Sequence, residues 1–281
     1  MATDIYPGSL GHQRITGAAG GVSLSTTPAF VALHQGTKYV DLIPRNFSTA
    51  VLARYIECPY LTILLTHDAL ATKAQDVSRV AQDGSTNTNV IMNNMPTLAN
   101  GGALWIGAST RFRGVDVNVN AVNTTSSSDL TVHYPNNALT LTDISATDNT
   151  NSTESLDQDG TVVWTIPALN GWYAATLKEI AAANGIAISA TTPEADVKMF
   201  WTRWTWDAVV DALTSLYHML AINESTAYTE VPESLGTGFR VNQGKGDVGI
   251  SGFEILTNAG TGNMIVSCAT LDGRFTEGVV E

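Results

Sequence analysis

The chain is 281 residues long, 44% hydrophobic and only 14% charged, with a formal net charge of −12. That length can bury a sizeable core in one large domain or two small ones, and a polarity carried by Ser, Thr, Asn and Gly suits a turn-rich β-protein rather than a helical enzyme. An acidic surface repels phosphates, which argues against direct nucleic-acid binding, and apolar runs such as YLTILL (60–65) are strand-sized, too short to cross a membrane as a helix.

The charge is unevenly placed. In residues 1–100, six Lys/Arg (Arg14, Lys38, Arg45, Arg54, Lys73, Arg79) balance six acids, so the remaining 181 residues carry the whole negative charge. The opening MATDIYPGSLGHQR lacks the basic start and apolar core of a secretory signal. Cys58 and Cys268 are too few for a disulfide framework or a metal cluster and read as two buried thiols, with a single bridge between them the alternative.

In chain order, residues 1–21 hold Pro7 and five glycines with almost no apolar periodicity, the composition of an extended arm. Such an arm is expected to order by docking on a neighbour, with Ile5, Tyr6, Leu10, Arg14 and Ile15 as its interface side chains. From Val22 onward AFVALH (29–34), KYVDLI (38–43), AVLARYIE (50–57) and YLTILLT (60–66) are β-sized runs, and Pro59 marks a bend or an edge. Residues 67–100 are weakly patterned.

Val115, Val117 and Val119 alternate with Asp116, Asn118 and Asn120, the period of a strand with one buried and one wet face. Leu130, Val132 and Tyr134 repeat the period, as do Val162, Trp164 and Ile166 before Pro167. Three such runs separated by polar turns predict an antiparallel β-sandwich. Residues 142–160 read as a long polar loop. WYAATLKEIAAANG (172–185) reads as a helix, with Asn184-Gly185 able to close it in a left-handed turn. In KMFWTRWTW (198–206), Phe200, Thr202, Trp204 and Trp206 share one strand face, Met199, Trp201 and Arg203 the other. DAVVDALTSLYHMLAIN (207–223) fits either a helix or a turn followed by a strand. GISGFEILTN (249–258) and GNMIVSCAT (262–270) flank a glycine-rich connection and predict a hairpin.

The landmarks of the central region are LWIGASTRFRGVDVNVN, with Phe112-Arg113-Gly114-Val115, then Tyr134, then Asp159, Gly160, Val162, Trp164 and Pro167, then Trp201-Thr202-Arg203. This pattern resembles a β-sandwich module that recurs in structural proteins of tailed bacteriophages, over about residues 77–222. The chain departs from the module's Tyr-Trp-Asn-Gly turn, carrying Tyr134-Pro135-Asn136-Asn137 instead. The flanks are similar to phage virion proteins less distinctly. The resemblance implies a mostly β chain: an arm at 1–21, a β-domain formed by 22–76 with 223–281, and an antiparallel β-sandwich module at 77–222 inserted between them.

It further implies a non-enzymatic virion protein assembled in the host bacterial cytoplasm, with no cofactor. The specific expectation is a capsid decoration (cement) protein. It would self-associate as a homotrimer and bridge subunits of the major capsid protein, touching neither nucleic acid nor membrane. A tail or baseplate structural protein and a carbohydrate-binding host-adhesion module are the alternatives.

Candidate chemistry is sparse. Asp157-Gln158-Asp159-Gly160 lacks the alternating carboxylates and closing Glu of a calcium loop and reads as a polar turn. Asn242-Gln243-Gly244-Lys245-Gly246 misses the glycine spacing and the Ser/Thr of a phosphate loop. Asp207 and Asp211 read as a solvated face, and the five histidines (12, 34, 67, 133, 218) have no metal spacing. Trp164, Trp172, Trp201, Trp204 and Trp206 are expected in the core and at a subunit interface, with exposed sugar-stacking platforms the competing reading.

Overall fold

A computed structural model describes residues 12–14, 21–33, 39–47, 51–66, 74–82, 87–92, 102–125, 128–188, 193–231, 239–242 and 250–269. In chain order the strands are β1 (His12–Arg14), β2 (Val22–Leu24), β3 (Ala29–Ala32), β4 (Tyr39–Arg45), β5 (Ala53–Pro59), β6 (Thr62–Thr66) and β7 (Ala74–Asp76), followed by helix α1 (Ser78–Gln82). Next come β8 (Val90–Ile91), β9 (Ala103–Ala108), β10 (Phe112–Ala121), β11 (Leu130–Pro135), β12 (Leu141–Asp143), β13 (Thr147–Asp148) and β14 (Gly160–Val163). Helix α2 (Leu177–Ala183) and a 3-10 turn at Pro193–Asp196 precede β15 (Phe200–Trp206), β16 (Ser215–Asn223), β17 (Thr229–Val231), β18 (Phe239–Asn242), β19 (Ile250–Thr257) and β20 (Gly262–Ala269). The fold is mostly β, in several antiparallel sheets.

The chain divides into two compact units: an outer one, Met1–Cys58 with Ser225–Glu281, and an inner one, Pro59–Glu224. The crossing falls at the Cys58–Pro59 bond. β6, which by its sequence position belonged to the first β-domain, hydrogen-bonds to β9 and so lies in the inner unit.

The outer unit packs the sheet β1-β20-β4-β18, with β2 also on β20, against the sheet β17-β5-β19-β3. Leu24, Val40, Leu42, Met264 and Val266 from the first sheet meet Val31, Tyr55, Phe253 and Ile255 from the second. The expected hairpin at 249–270 is not one. β19 pairs in one sheet and β20 in the other, so Asn258–Gly262 is an arch between layers. Both strands point alternate apolar residues into the same core, which is satisfied by facing each other across the layers rather than by pairing. Gly260 turns the arch with φ +62°, and a side chain at Gly262 would run into the Phe47 ring.

The inner unit is a β-sandwich with a helix on one outer face. Its sheets are β13-β14-β10-β16-β8 and β12-β11-β15-β9-β6-β7. Val115, Val117, Val162, Met219 and Ala221 face Ile63, Leu104, Ile106, Val132, Trp204 and Trp206 between the layers. The alternate positions of β15 and β9, Trp201 and Trp105, point the other way and are covered by Leu177 and Ile180 of α2. β15 is therefore buried on both faces, as its two-sided apolar alternation requires.

Helix α2 begins later than the alanine pattern suggests. Thr176 caps it through a reciprocal bond with Glu179, and Asn184 and Gly185 (φ +65°) close it. The segment 207–223 is a turn followed by β16, with no helix. The polar stretch 142–160 contains the end of β12 and the short β13, flanked by Leu141, which packs on the helix-covered cluster, and by Ile144 and Ala146, which pack on the inter-sheet core. Helix α1 lacked any sequence signal. It is held by the Gln82 amide, which pairs with both Leu61 main-chain groups (2.9 and 2.6 Å) and so continues the sheet with a side chain.

Candidate interaction surface

Of the arm residues, Ile5, Tyr6, Leu10 and Ile15 lie outside the described residues. Arg14 is in β1, opposite Ser267 of β20. β1 covers the end of β20 at Ser267–Ala269, and β2 covers its start at Gly262–Met264, so part of the arm closes a sheet edge of its own chain. Cys58 is buried in β5 and Cys268 lies in β20, in different sheets of the same unit. Of the Asn242–Gly246 run, only the end of β18 is described.

All six tryptophans are buried. None is presented for stacking on a sugar or for a subunit interface. On the inter-sheet face Trp164, Trp172, Phe112, Tyr134 and Phe200 form one aromatic cluster with ring centroids 5.4–6.4 Å apart. The indoles there find acceptors: Trp164 donates to the Phe112 carbonyl (3.1 Å), Trp204 to Thr202 Oγ1 (3.1 Å) and Trp206 to Ser155 Oγ (3.1 Å). On the helix-covered face Trp105 and Trp201 have no acceptor for their N–H.

That second face also carries a titratable row. Asp143, His133, Arg203 and Trp105 are cross-strand partners on β12, β11, β15 and β9, with the Arg203 guanidinium 5.4 Å from the Trp105 ring centre. Burial pushes the His133 imidazole below its ordinary value, reinforced by the Arg203 charge and opposed by Asp143 and the Arg203 carbonyl. His133 Nδ1 makes no well-formed hydrogen bond. Burial also lowers Arg203. The row is partly desolvated and anchored by packing.

Polar side chains lock the loops at one end of the inner sandwich. Asn123 is buried; its Nδ2 donates to Ser128 Oγ (2.6 Å) and the Ser155 carbonyl (2.9 Å), and its Oδ1 accepts from the main chain of Thr125 (3.1 Å) and Asp211 (3.0 Å). Asp207 and Asp211 are not a solvated helix face. Asp207 accepts from the Asp129 N–H (2.7 Å), and Asp211 accepts from the Leu213 N–H (2.8 Å) and the Thr124 hydroxyl. The Leu213 N–H first, then the Thr124 hydroxyl, hold the Asp211 carboxyl below the usual range against a smaller effect of burial.

The turn at 149–160 is organised by Asp157. It accepts from the main chain and hydroxyl of Ser152 (2.9 and 2.7 Å) and of Thr153 (2.9 and 3.0 Å). Burial alone would raise this carboxyl, but the Ser152 and Thr153 bonds together outweigh it and hold it well below the carboxylate range. Its oxygens are engaged by the turn itself. Among the described residues no three His, Cys, Asp or Glu side chains group as metal ligands.

Exposed apolar side chains sit on these locked loops and at the end of strand β8 beside them. Val122, Val209, Leu213 and Ile91 are 47%, 50%, 77% and 55% exposed. Ser215 pairs with both Ala121 and Ile91, which brings the starts of three connections together. Val122 follows Ala121, Leu213 lies two residues before Ser215, and the Asn123–Asp211 bond draws in the Val209 turn. A second exposed pair, Leu169 and Tyr173, lies toward the other end of β10, where Arg111 pairs with Glu224 and donates to the Pro167 carbonyl (3.2 Å).

No family model, curated protein or solved structure matches the chain. No helix among the described residues is long and apolar enough to cross a membrane.

Proposed function

We propose that the chain is a non-enzymatic structural component of a tailed-phage particle, a capsid decoration protein that self-associates as a homotrimer and bridges major capsid subunits. The observation that carries this reading is the exposed apolar tip, Ile91 at the end of strand β8 and Val122, Val209 and Leu213 on loops held by side-chain hydrogen bonds at one end of the sandwich. A surface ordered before binding loses little entropy on docking, so even a modest apolar contact yields net affinity. The strand landmarks at 112–115, 159–167 and 201–203 support the phage assignment. A tail or baseplate position uses the same surface. Burial of all six tryptophans weakens the sugar-binding alternative.

A density map of intact particles tests the proposal. Copies spread over the shell between capsid subunits are expected. A single ring of copies would favour the tail, and absence from purified particles would overturn both assignments.

A further inference from the structure

We propose that the tip formed by Ile91, Val122, Val209 and Leu213 docks on a protein surface that offers an apolar strip flanked by Lys and Arg. The inference rests on the reading of the chain as a docking protein and names the chemistry of the partner.

The tip supplies the apolar half of this contact, with four partly exposed aliphatic side chains brought together by β8, β10 and β16. The charge around it supplies the other half. Ile91 lies in a stretch, 80–110, that contains no Lys or Arg. Val122 lies in a second such stretch, 114–177, which holds seven acids and no Lys or Arg. Val209 and Leu213 lie in a third, 204–239, equally free of Lys and Arg.

Asp129, Asp207 and Asp211 stand on the same loops as the apolar side chains, and their positions are fixed by the bonds that fix the loops. The Asp211 carboxyl is held below its usual range and stays ionised at neutral pH. Among the described residues the basic groups of the inner sandwich sit elsewhere. Arg111 and Arg113 are at the opposite end of β10, Arg79 is on α1 where it acts on Tyr60, Lys178 is on α2 paired with Asp196, Lys198 acts on Glu179 of α2, and Arg203 is on the helix-covered face.

A second copy of this chain meeting it through the same tip would set acid against acid, and an anionic lipid surface would be repelled in the same way. A partner with Lys or Arg around an apolar strip meets both halves. Its charges would speed encounter, and the aliphatic contact would set how long it stays.

The test uses the full-length protein and defined probes: an amphipathic helical peptide of Leu and Lys, its Leu/Glu counterpart, a Ser/Lys peptide of the same charge, and zwitterionic and anionic phospholipid vesicles. Binding is followed by fluorescence anisotropy at low and high salt. The Leu/Lys peptide is expected to bind, with the Leu/Glu and Ser/Lys peptides about tenfold weaker or more, and with affinity falling as salt rises. Leu213→Ser should weaken the Leu/Lys complex about tenfold, and Asp129→Asn should reduce its salt dependence. Leu169→Ser, at the other end of the sandwich, should leave binding unchanged.

Both tip substitutions are at exposed positions, and unchanged tryptophan emission would verify the fold. Equal binding by Leu213→Ser, equal loss in Leu169→Ser, a preference for the Leu/Glu peptide, or tighter binding to either vesicle would each overturn the proposal. None of these outcomes depends on where the chain sits in a particle, so this inference can fail while the particle assignment stands, and the reverse.

Discussion

At the scale of single residues, the inner unit is dominated by its indoles. Trp164 touches Phe112 at 5.4 Å between ring centres and donates to the same residue's carbonyl, so Trp164→Ala removes a large apolar contact and leaves a buried acceptor unpaired. A loss of roughly 3–5 kcal/mol is expected in chemical denaturation, and an unchanged midpoint would place the ring outside the core. His133 gives a pH-dependent counterpart. Its folded value is depressed, chiefly by burial, so the unfolded chain binds the proton first on acidification. The stability it contributes is therefore present above about pH 6.5 and lost as the pH falls below that value. Stability measured between about pH 5 and 8 should decline toward acid in the native chain and decline less in His133→Asn. An identical pH profile for the two would remove His133 from this role.

At the scale of elements, several loops in this chain are held by side-chain hydrogen bonds. Asn123 joins the 122–128, 155 and 211 segments through four hydrogen bonds while itself buried. Asn123→Ala should cost roughly 1–3 kcal/mol for each buried group left unpaired, and should speed amide exchange at Asp211. Asp157 does the same for the turn at 152–154. Because its folded value is depressed, its contribution is complete above the ordinary Asp range near pH 4 and fades as the pH falls below it. Hydrogen exchange at Ser152 and Thr153 should accelerate at low pH in the native chain, and at all pH values in Asp157→Ala. Exchange that stays slow in that variant would show that the turn is held by something else.

At the scale of the whole molecule, each unit has its own core, and all six tryptophans lie in the inner one. Indole fluorescence therefore reports on Pro59–Glu224 alone. Residues 59–224 expressed by themselves should keep the blue-shifted emission and the fluorescence-detected denaturation midpoint of the full chain. A red-shifted, non-cooperative fragment would mean that the inner core depends on the outer segments. The outer unit is built from two distant pieces of chain, so it must close over a long connection and should carry little stability without its second piece.

Alternation is a local property, and it is what made the strands legible. Val115, Val117 and Val119 declared a one-sided strand, and the alternation at 199–206 declared a strand and the residues that share each face, because side-chain period follows backbone geometry alone; that the second face is also buried was decided by α2 packing on Trp201. The Asn184–Gly185 stop was equally local, whereas the helix starts only at the Thr176–Glu179 cap, with Trp172 drawn into the core. Pairing is not local. Nothing near Gly260 states that β19 and β20 belong to opposite layers, and nothing near Leu61 states that Gln82 will pair with it. The candidate surface is the clearest case. Ile91 stands between Val90 and Met92, Val209 beside Val210, and Val122 and Leu213 among polar residues, so nothing in any one of these runs marks the four as a shared surface. They become one surface only because β8, β10 and β16 are neighbours in a sheet, a choice made by the fit of the whole core rather than by any residue in the loops themselves.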